Sequence, residues 1–352
     1  MENKDLKSLT VDKLIAIVGV SQAIGIKKVA SLLFTYRCTI ACKHCLFNCS
    51  PKQPNVCVSL EDGVEFLRQL RSTDRVIHIA GGEPMMYYHR MLSICQSANK
   101  QGFAPHFFET NASWCINDEV TQKRYEELKD AGLKGVYISA DVYHQAFVSP
   151  ARRFRAYVLA VEIFGRENVS AGDISLESLA EYRKIGLDEE LLKEHAQNHP
   201  PKLIGRAGEE LAKFVPNHSL DSLAHDHLWA SASENEGCLP EFDPERMWEI
   251  HIDPYGNIQT CCGIIIGSVY KKPLTEYMKD GFQADSDLIK IVCERGPFGY
   301  LELAMSLGYE PENGYPQKCN LCWEVRKFLH PYFPETFGTA EVYETIGSTQ
   351  TQ

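Results

Sequence analysis

Three thiols stand close together in Cys38-Thr39-Ile40-Ala41-Cys42-Lys43-His44-Cys45. Thiolates are the usual ligands of iron–sulfur clusters, and four of them close a cubane. Three leave one iron with an open position, the general mark of a catalytic metal site. A zinc site built from the same cysteines with His44 or Cys49 is the competing reading, although C-x3-C-x2-C is not a common zinc spacing. A second group, Cys238, Cys261, Cys262, Cys319 and Cys322, lies towards the C-terminus. Asp253 to Cys261 reads as a strand, a tight turn at Gly256-Asn257 and a returning strand, which presents Cys261 to the knuckle Cys319-Asn320-Leu321-Cys322. With Cys238 these make four thiolates and a closed site. A structural zinc knuckle is the alternative there, and the adjacent Cys261 and Cys262 are not separable by spacing.

The chain has 352 residues and 13 cysteines. An odd count without a secretion signal points to metal or cluster ligation before disulfides. Of the other thiols, Cys95 and Cys293 read as core residues. Cys49, Cys57 and Cys115 lie near predicted strand ends, where a hydrogen-donor or covalent role competes with a spectator one. A net charge of -11 argues against a nucleic-acid partner. The most apolar N-terminal stretch, Leu14 to Phe34, is broken by Gln22, Lys27 and Lys28, so no membrane segment is expected and the protein reads as cytoplasmic.

These residues need a frame to hold them. Helical spacing over 11–29 predicts an N-terminal helical extension (1–29). From there strands alternate with helices. Ser31 to Tyr36, Val76 to Ala80, His106 to Thr110 and Gly135 to Ser139 read as strands, with helices at Asp62–Leu70, Met91–Lys100, Thr121–Ala131 and Arg152–Phe164. Lys202 to Arg206 reads as a late strand leading into a helix at Glu209–Phe214. Such alternation implies parallel β/α units, and ligands of such sheets bind at the carboxyl ends of the strands. The cysteine loop, Gly81 to Pro84, Thr110-Asn111 and Ser139 to Asp141 all fall at those ends. Tyr143, His144 and Arg206 lie nearby, and an ordinary helix or linker position explains each as well. The fold expected is α/β: a partial (β/α)6 TIM-like barrel over 30–216, a linker over 217–236, a small cysteine-rich α+β module over 237–330 and a tail over 331–352.

The C-x3-C-x2-C loop after the first strand, followed at the next strand end by Gly81-Gly82-Glu83-Pro84, resembles the radical S-adenosylmethionine (SAM) superfamily over roughly residues 30 to 215. Ser139-Ala140-Asp141 is similar to its S-x-D element. The resemblance implies a [4Fe–4S] cluster on Cys38, Cys42 and Cys45, with SAM on the open iron. Reductive cleavage then gives a 5′-deoxyadenosyl radical, which takes a hydrogen atom from the substrate. It also implies that Gly81, Gly82, Glu83 and Pro84 receive the methionine end of SAM. Thr110, Asn111, Ser139 and Asp141 would hydrogen-bond its carboxylate or ribose, and for Asp141 a helix N-cap competes equally. Reduced flavodoxin or ferredoxin is the implied electron donor.

The C-terminal cysteines resemble the auxiliary-cluster modules known as SPASM and twitch domains. Gly256 to Cys261 fits their G-x4-C element, while the spacer from Cys238 is long for the pattern. No cysteine follows Cys322, so the match is to the twitch type, with one auxiliary [4Fe–4S] cluster on Cys238, Cys261, Cys319 and Cys322. This favours an oxidation in which the auxiliary cluster takes the surplus electron from a small-molecule or peptide substrate. The alternatives are a maturase forming a crosslink, thioether or epimer in a ribosomal peptide and, more remotely, a non-catalytic metal-binding protein. Only 37 residues precede Cys38, too few for the winged-helix leader-binding domain of many peptide maturases, which favours the oxidation.

Overall fold

A computed structural model describes residues 6–172, 174–225, 237–283 and 286–344. Most of the predicted linker (226–236) and the end of the tail (345–352) lie outside the described residues. The chain divides into two compact units. One comprises Met1–Ile40, Asn55–Leu187 and Glu249–Gly256, the other Ala41–Pro54, Asp188–Trp248 and Asn257–Gln352.

The first unit is α/β. Its strands are β1 (Val29–Leu33), β2 (Val76–Ala80), β3 (Phe107–Thr110), β4 (Gly135–Ile138), β5 (Val169–Ala171) and β6 (Glu249–Ile252). They lie in the order β5-β4-β3-β2-β1-β6, and every pairing among them is parallel. β1 and β2 are buried at every position, because a parallel sheet covered on both faces leaves no solvent side. The helices are α1 (Val11–Ile26), α2 (Leu60–Arg71), α3 (Tyr88–Lys100), α4 (Asp118–Asp130), α5 (Pro150–Phe164) and α6 (Leu176–Leu187). Their starts are capped as the sequence dictates: Ser59 accepts from Asp62 N–H ahead of α2, and Asn117 from Val120 N–H ahead of α4. At the strand starts, α1 packs Val11, Leu14, Val20 and Ala23 in one cluster with Val29, Val76 and Phe107. This is the open, partial barrel expected.

One expectation is corrected. Lys202–Ile204 is irregular chain and not a strand, and the helix after it, Arg206–Glu210, starts earlier than predicted. The sixth parallel strand is Glu249–Ile252, which pairs with β1 in register Ser31↔His251. Gly205 explains the absence of a strand at 202–206, because its left-handed backbone (φ 57°) turns the chain there. The sixth strand is short and alternates polar with apolar residues, which hid it among signals belonging to a hairpin.

The second unit is mainly helical. It contains α7 (Glu189–Asn198), α8 (Arg206–Glu210), α9 (Asp287–Ser306), α10 (Lys318–Leu329) and an antiparallel hairpin, β7 (Asn257–Gln259) with β8 (Ile265–Ser268). Cys261 and Cys262 sit in the turn of that hairpin. Among the described residues no helix is long and apolar enough to cross a membrane.

Candidate functional site

The glycine pair after β2 has a packing reason. Gly82 N–H donates to Thr35 O at 2.7 Å and Glu83 N–H to Arg37 O at 3.0 Å. A Cβ on Gly82 would stand 2.0 Å from Arg37 O, closer than any side chain allows. Gly81 has φ 135°, which lets the strand end bend into this contact. The backbone that leads to Cys38 is therefore clamped to the end of β2. Pro84 then opens a 3-10 turn that Glu83 caps by accepting from Met85 N–H at 3.2 Å.

Glu83 is 1% exposed. Its carboxylate accepts from Thr110 Oγ1 (2.9 Å) and from Asn111 N–H (2.8 Å). Burial pushes its pKa up to about 7, against the pull of these donors and of Arg153. Thr110 also accepts from Trp114 Nε1 (2.9 Å) and Ala112 N–H (3.0 Å), so its hydroxyl is committed to positioning Glu83 and Trp114. The Asn111 side chain donates to Cys38 Sγ at 3.4 Å and to Thr39 Oγ1 at 3.0 Å. Above these groups opens a cleft of about 390 Å³, lined among others by Thr39, Glu83, Met85, Ser113, Trp114 and Arg152. A buried carboxylate, two hydroxyls and an indole in the lining suit a ligand with a cationic end and a flat polar body.

Ser139 and Asp141 are not among the residues lining that cleft. Ser139 N–H donates to Thr110 O at 3.0 Å. Asp141 caps a single helical turn, accepting from Tyr143 N–H (2.9 Å) and His144 N–H (3.0 Å), while its other oxygen meets His144 Nδ1 at 2.7 Å. The N-cap reading of Asp141 is thus present in the structure. Cys95 and Cys115 are fully buried, and burial pushes each thiol up to about 12. Cys57 is half-buried.

A charged group on the sheet escaped the sequence reading. His78 on β2 lies 2.7 Å from Glu249 on β6 and 3.2 Å from Glu109 on β3, and stacks on Phe107 at 4.6 Å. Burial alone would push the imidazole down, but Glu109 and Glu249 outweigh it and raise the pKa to about 10. Burial likewise opposes ionisation of Glu249, and His251, His78 and Arg75 together bring it down to about 2. The available signal was a histidine at the centre of the apolar strand Val76-Ile77-His78-Ile79-Ala80.

In the second unit, the rest of the first cysteine loop is gripped by Arg206. This guanidinium is 9% exposed and donates to the carbonyls of Cys42 (3.1 Å), Asn48 (2.9 Å) and Cys49 (2.8 Å). Arg206 N–H adds a bond to Cys45 O at 3.0 Å. A Cβ on Gly205 would lie 2.4 Å from Leu46 O, so only glycine lets this segment reach the loop. Hydrogen bonding from Cys42 and then Cys49 holds the Cys45 thiol well below its ordinary range, with Arg206 adding to the effect. Cys49 N–H donates to Cys45 Sγ at 3.2 Å.

The second cysteine group converges. Cys238, Cys261, Cys319 and Cys322 line one cavity. Cys238 is fixed to α9 by its N–H bond to Val292 O at 2.9 Å, Cys261 comes from the β7–β8 turn, and Cys319 and Cys322 lie one turn apart on α10. Burial first, and then the neighbouring thiols, pushes Cys238 well above the ordinary range. Burial takes Cys319 up to about 12 despite Lys202, and Cys322 up to about 11 despite Arg326. Cys262 does not line the cavity; its carbonyl accepts from Arg326 at 2.8 Å. Cys293 is buried on α9 and is not a lining residue.

Lys202, Glu241, Lys318 and Arg326 complete the charged lining, and none of them was singled out in the sequence. Arg326 is 0% exposed. Its Nη1 also donates to Tyr343 Oη at 3.2 Å, yet Nε and Nη2 find no hydrogen-bond acceptor among the described residues. A buried guanidinium in that state is costly unless an anion faces it. Four neutral thiols supply no anion, whereas four metal-bound thiolates do. The donor set and its countercharge fit a thiolate-ligated metal centre.

Residues 32–192 match the family model described as the Radical SAM superfamily. That segment carries Cys38, Cys42, Cys45 and Gly81 to Pro84, so the match supports, at superfamily level and over these residues, the resemblance read from the motifs. No curated protein is significantly similar to the chain. Among solved structures, "Crystal structure of BtrN in complex with AdoMet and 2-DOIA" is similar at 14% identity with a TM-score of 0.41, covering 77% of this chain and 88% of that one.

Proposed function

We propose that this chain is a radical SAM enzyme that oxidises its substrate, with a first cluster on Cys38, Cys42 and Cys45 and an auxiliary [4Fe–4S] cluster on Cys238, Cys261, Cys319 and Cys322. When bound and reduced by flavodoxin or ferredoxin, the first cluster and SAM supply the 5′-deoxyadenosyl radical that removes a hydrogen atom from the substrate. The chain's own residues bind and orient. Glu83, held by Thr110 and Asn111, offers its carboxylate to the ammonium of the methionine end. Asn111 donates to Cys38 and so fixes the first thiolate relative to Glu83. Trp114, Met85 and Met86 wall the cleft and exclude water from it. Ser139 and Asp141 stand at the end of β4, outside the lining of the cleft, with Asp141 in its capping role. Arg206 holds the loop of Cys42 and Cys45 closed.

The observation that carries the auxiliary site is the convergence of four thiols from three elements around a buried guanidinium. An oxidation releases an electron along with the abstracted hydrogen and a proton, and a second cluster supplies the acceptor. Anaerobic reconstitution, read by iron and acid-labile sulfide, tests this. About eight irons per chain are expected. About four irons with one bound zinc would remove the electron acceptor and the oxidation with it.

A further inference from the structure

Charge around the second cysteine group is organised beyond what ligation requires. Four thiolates on a dicationic cubane carry two net negative charges. The cavity lining brings three cations, Lys202, Lys318 and Arg326, and one carboxylate, Glu241. Those side chains sum to two positive charges, which balances the oxidised centre and leaves a reduced one with a single unbalanced negative charge. Lys318 is 2% exposed and Arg326 0% exposed, so water screens neither cation.

Arg326 is also locked in place. Its guanidinium lies 5.6 Å from the Trp323 ring and 5.9 Å from the Tyr343 ring, and Tyr343 is tied by its hydroxyl to Gly263 O at 2.6 Å. The oxygen acceptors holding Arg326, the Cys262 carbonyl and the Tyr343 hydroxyl, are neutral, and the guanidinium also hydrogen-bonds the Cys322 sulfur. Its charge is therefore left for the sulfurs. Arg326 lies four residues beyond Cys322 on α10, on the same helix face.

We infer that Arg326 and Lys202 act as electrostatic positioning residues that raise the reduction potential of the auxiliary cluster, so that it accepts the substrate's electron. The inference rests on the auxiliary-cluster reading above. Cations lining the cavity stabilise the more negative, reduced state more than the oxidised one, because their attraction grows with the charge on the cluster, and water does not screen that of the fully buried Arg326. One electron enters the cluster, and one electron and one proton leave the substrate radical. No other oxidant is needed.

The test uses the full chain with Cys38, Cys42 and Cys45 replaced by alanine, so that only the second site holds iron, and follows the reduced cluster by EPR in a redox titration. In this background Arg326→Met and Lys202→Met should each lower the ratio of reduced to oxidised cluster at fixed potential at least tenfold, which is 59 mV for a one-electron couple. Arg326→Lys should retain most of the parental potential. Arg326→Met is the variant at risk of not folding, and Lys202→Met then decides alone. Four irons loaded with potentials unchanged in the Met variants would overturn the inference and leave the cluster reading standing. A parent that binds no iron would overturn both.

Discussion

Glu83 offers a quantitative check on the geometry of the cleft. Burial raises its pKa from 4.5 to about 7. The folded chain therefore keeps this proton up to about pH 7, whereas the unfolded chain releases it near 4.5. Between those values the folded state binds more protons, so stability falls as pH rises. Evaluated between pH 5.5 and 8.5, the loss from this one group is about 2 kcal/mol. Glu83→Gln removes the titration. Its amide also disturbs the bonds from Thr110 and Asn111, but that cost does not vary with pH and cancels in the comparison. Thermal unfolding of the cluster-free chain, wild type against variant, should show the variant gaining on the wild type from pH 5.5 to 8.5 by roughly 3 °C in Tm. An equal difference at both pH values would mean that burial does not dominate at Glu83 and that its carboxylate is open to solvent.

Two further substitutions probe the frame. Glu249→Gln leaves His78 buried with one carboxylate neighbour instead of two and should cost about 3 kcal/mol at pH 7. The stability that Glu249 contributes is present above pH 4.5 and is lost as pH falls towards its folded pKa of about 2, so the gap between variant and wild type in urea denaturation should close in acid; a gap constant with pH would refute the ion pair. Gly82→Ala forces a Cβ to 2.0 Å from Arg37 O and should cost about 3 kcal/mol or more. Gly25→Ala, with no atom within 4 Å of the added Cβ, should be neutral or stabilising by up to about 1 kcal/mol, and equal costs at the two sites would contradict the clamp.

Much of this was legible because it was local. The four strands at 31–139 and their helices follow from short apolar runs alternating with helical spacing. The cysteine loop and Gly81 to Pro84 stand out by residue type alone. What the spacing could not carry was pairing at long range. Glu249–Ile252 joins β1 across more than 200 residues, and its alternating pattern serves a parallel strand and a hairpin equally well. The cations of the second cavity were invisible for the same reason: Lys202 comes from one segment and Lys318 and Arg326 from α10, and they acquire meaning only beside the sulfurs. Arg206 looked like a strand-end residue and proves to be the clamp of the Cys42–Cys49 carbonyls. The adjacent pair Cys261 and Cys262 separates only in three dimensions, where the first lines the cavity and the carbonyl of the second holds Arg326.

The central claim is that Cys38, Cys42 and Cys45 hold the cluster that cleaves SAM. The most direct measurement is 5′-deoxyadenosine formed from SAM and dithionite by the anaerobically reconstituted chain, beside the variant with all three cysteines replaced by alanine. The account predicts steady formation by the wild type and none above background by the variant, which still holds about four irons at its second site. Formation by the triple variant at the wild-type rate would contradict it.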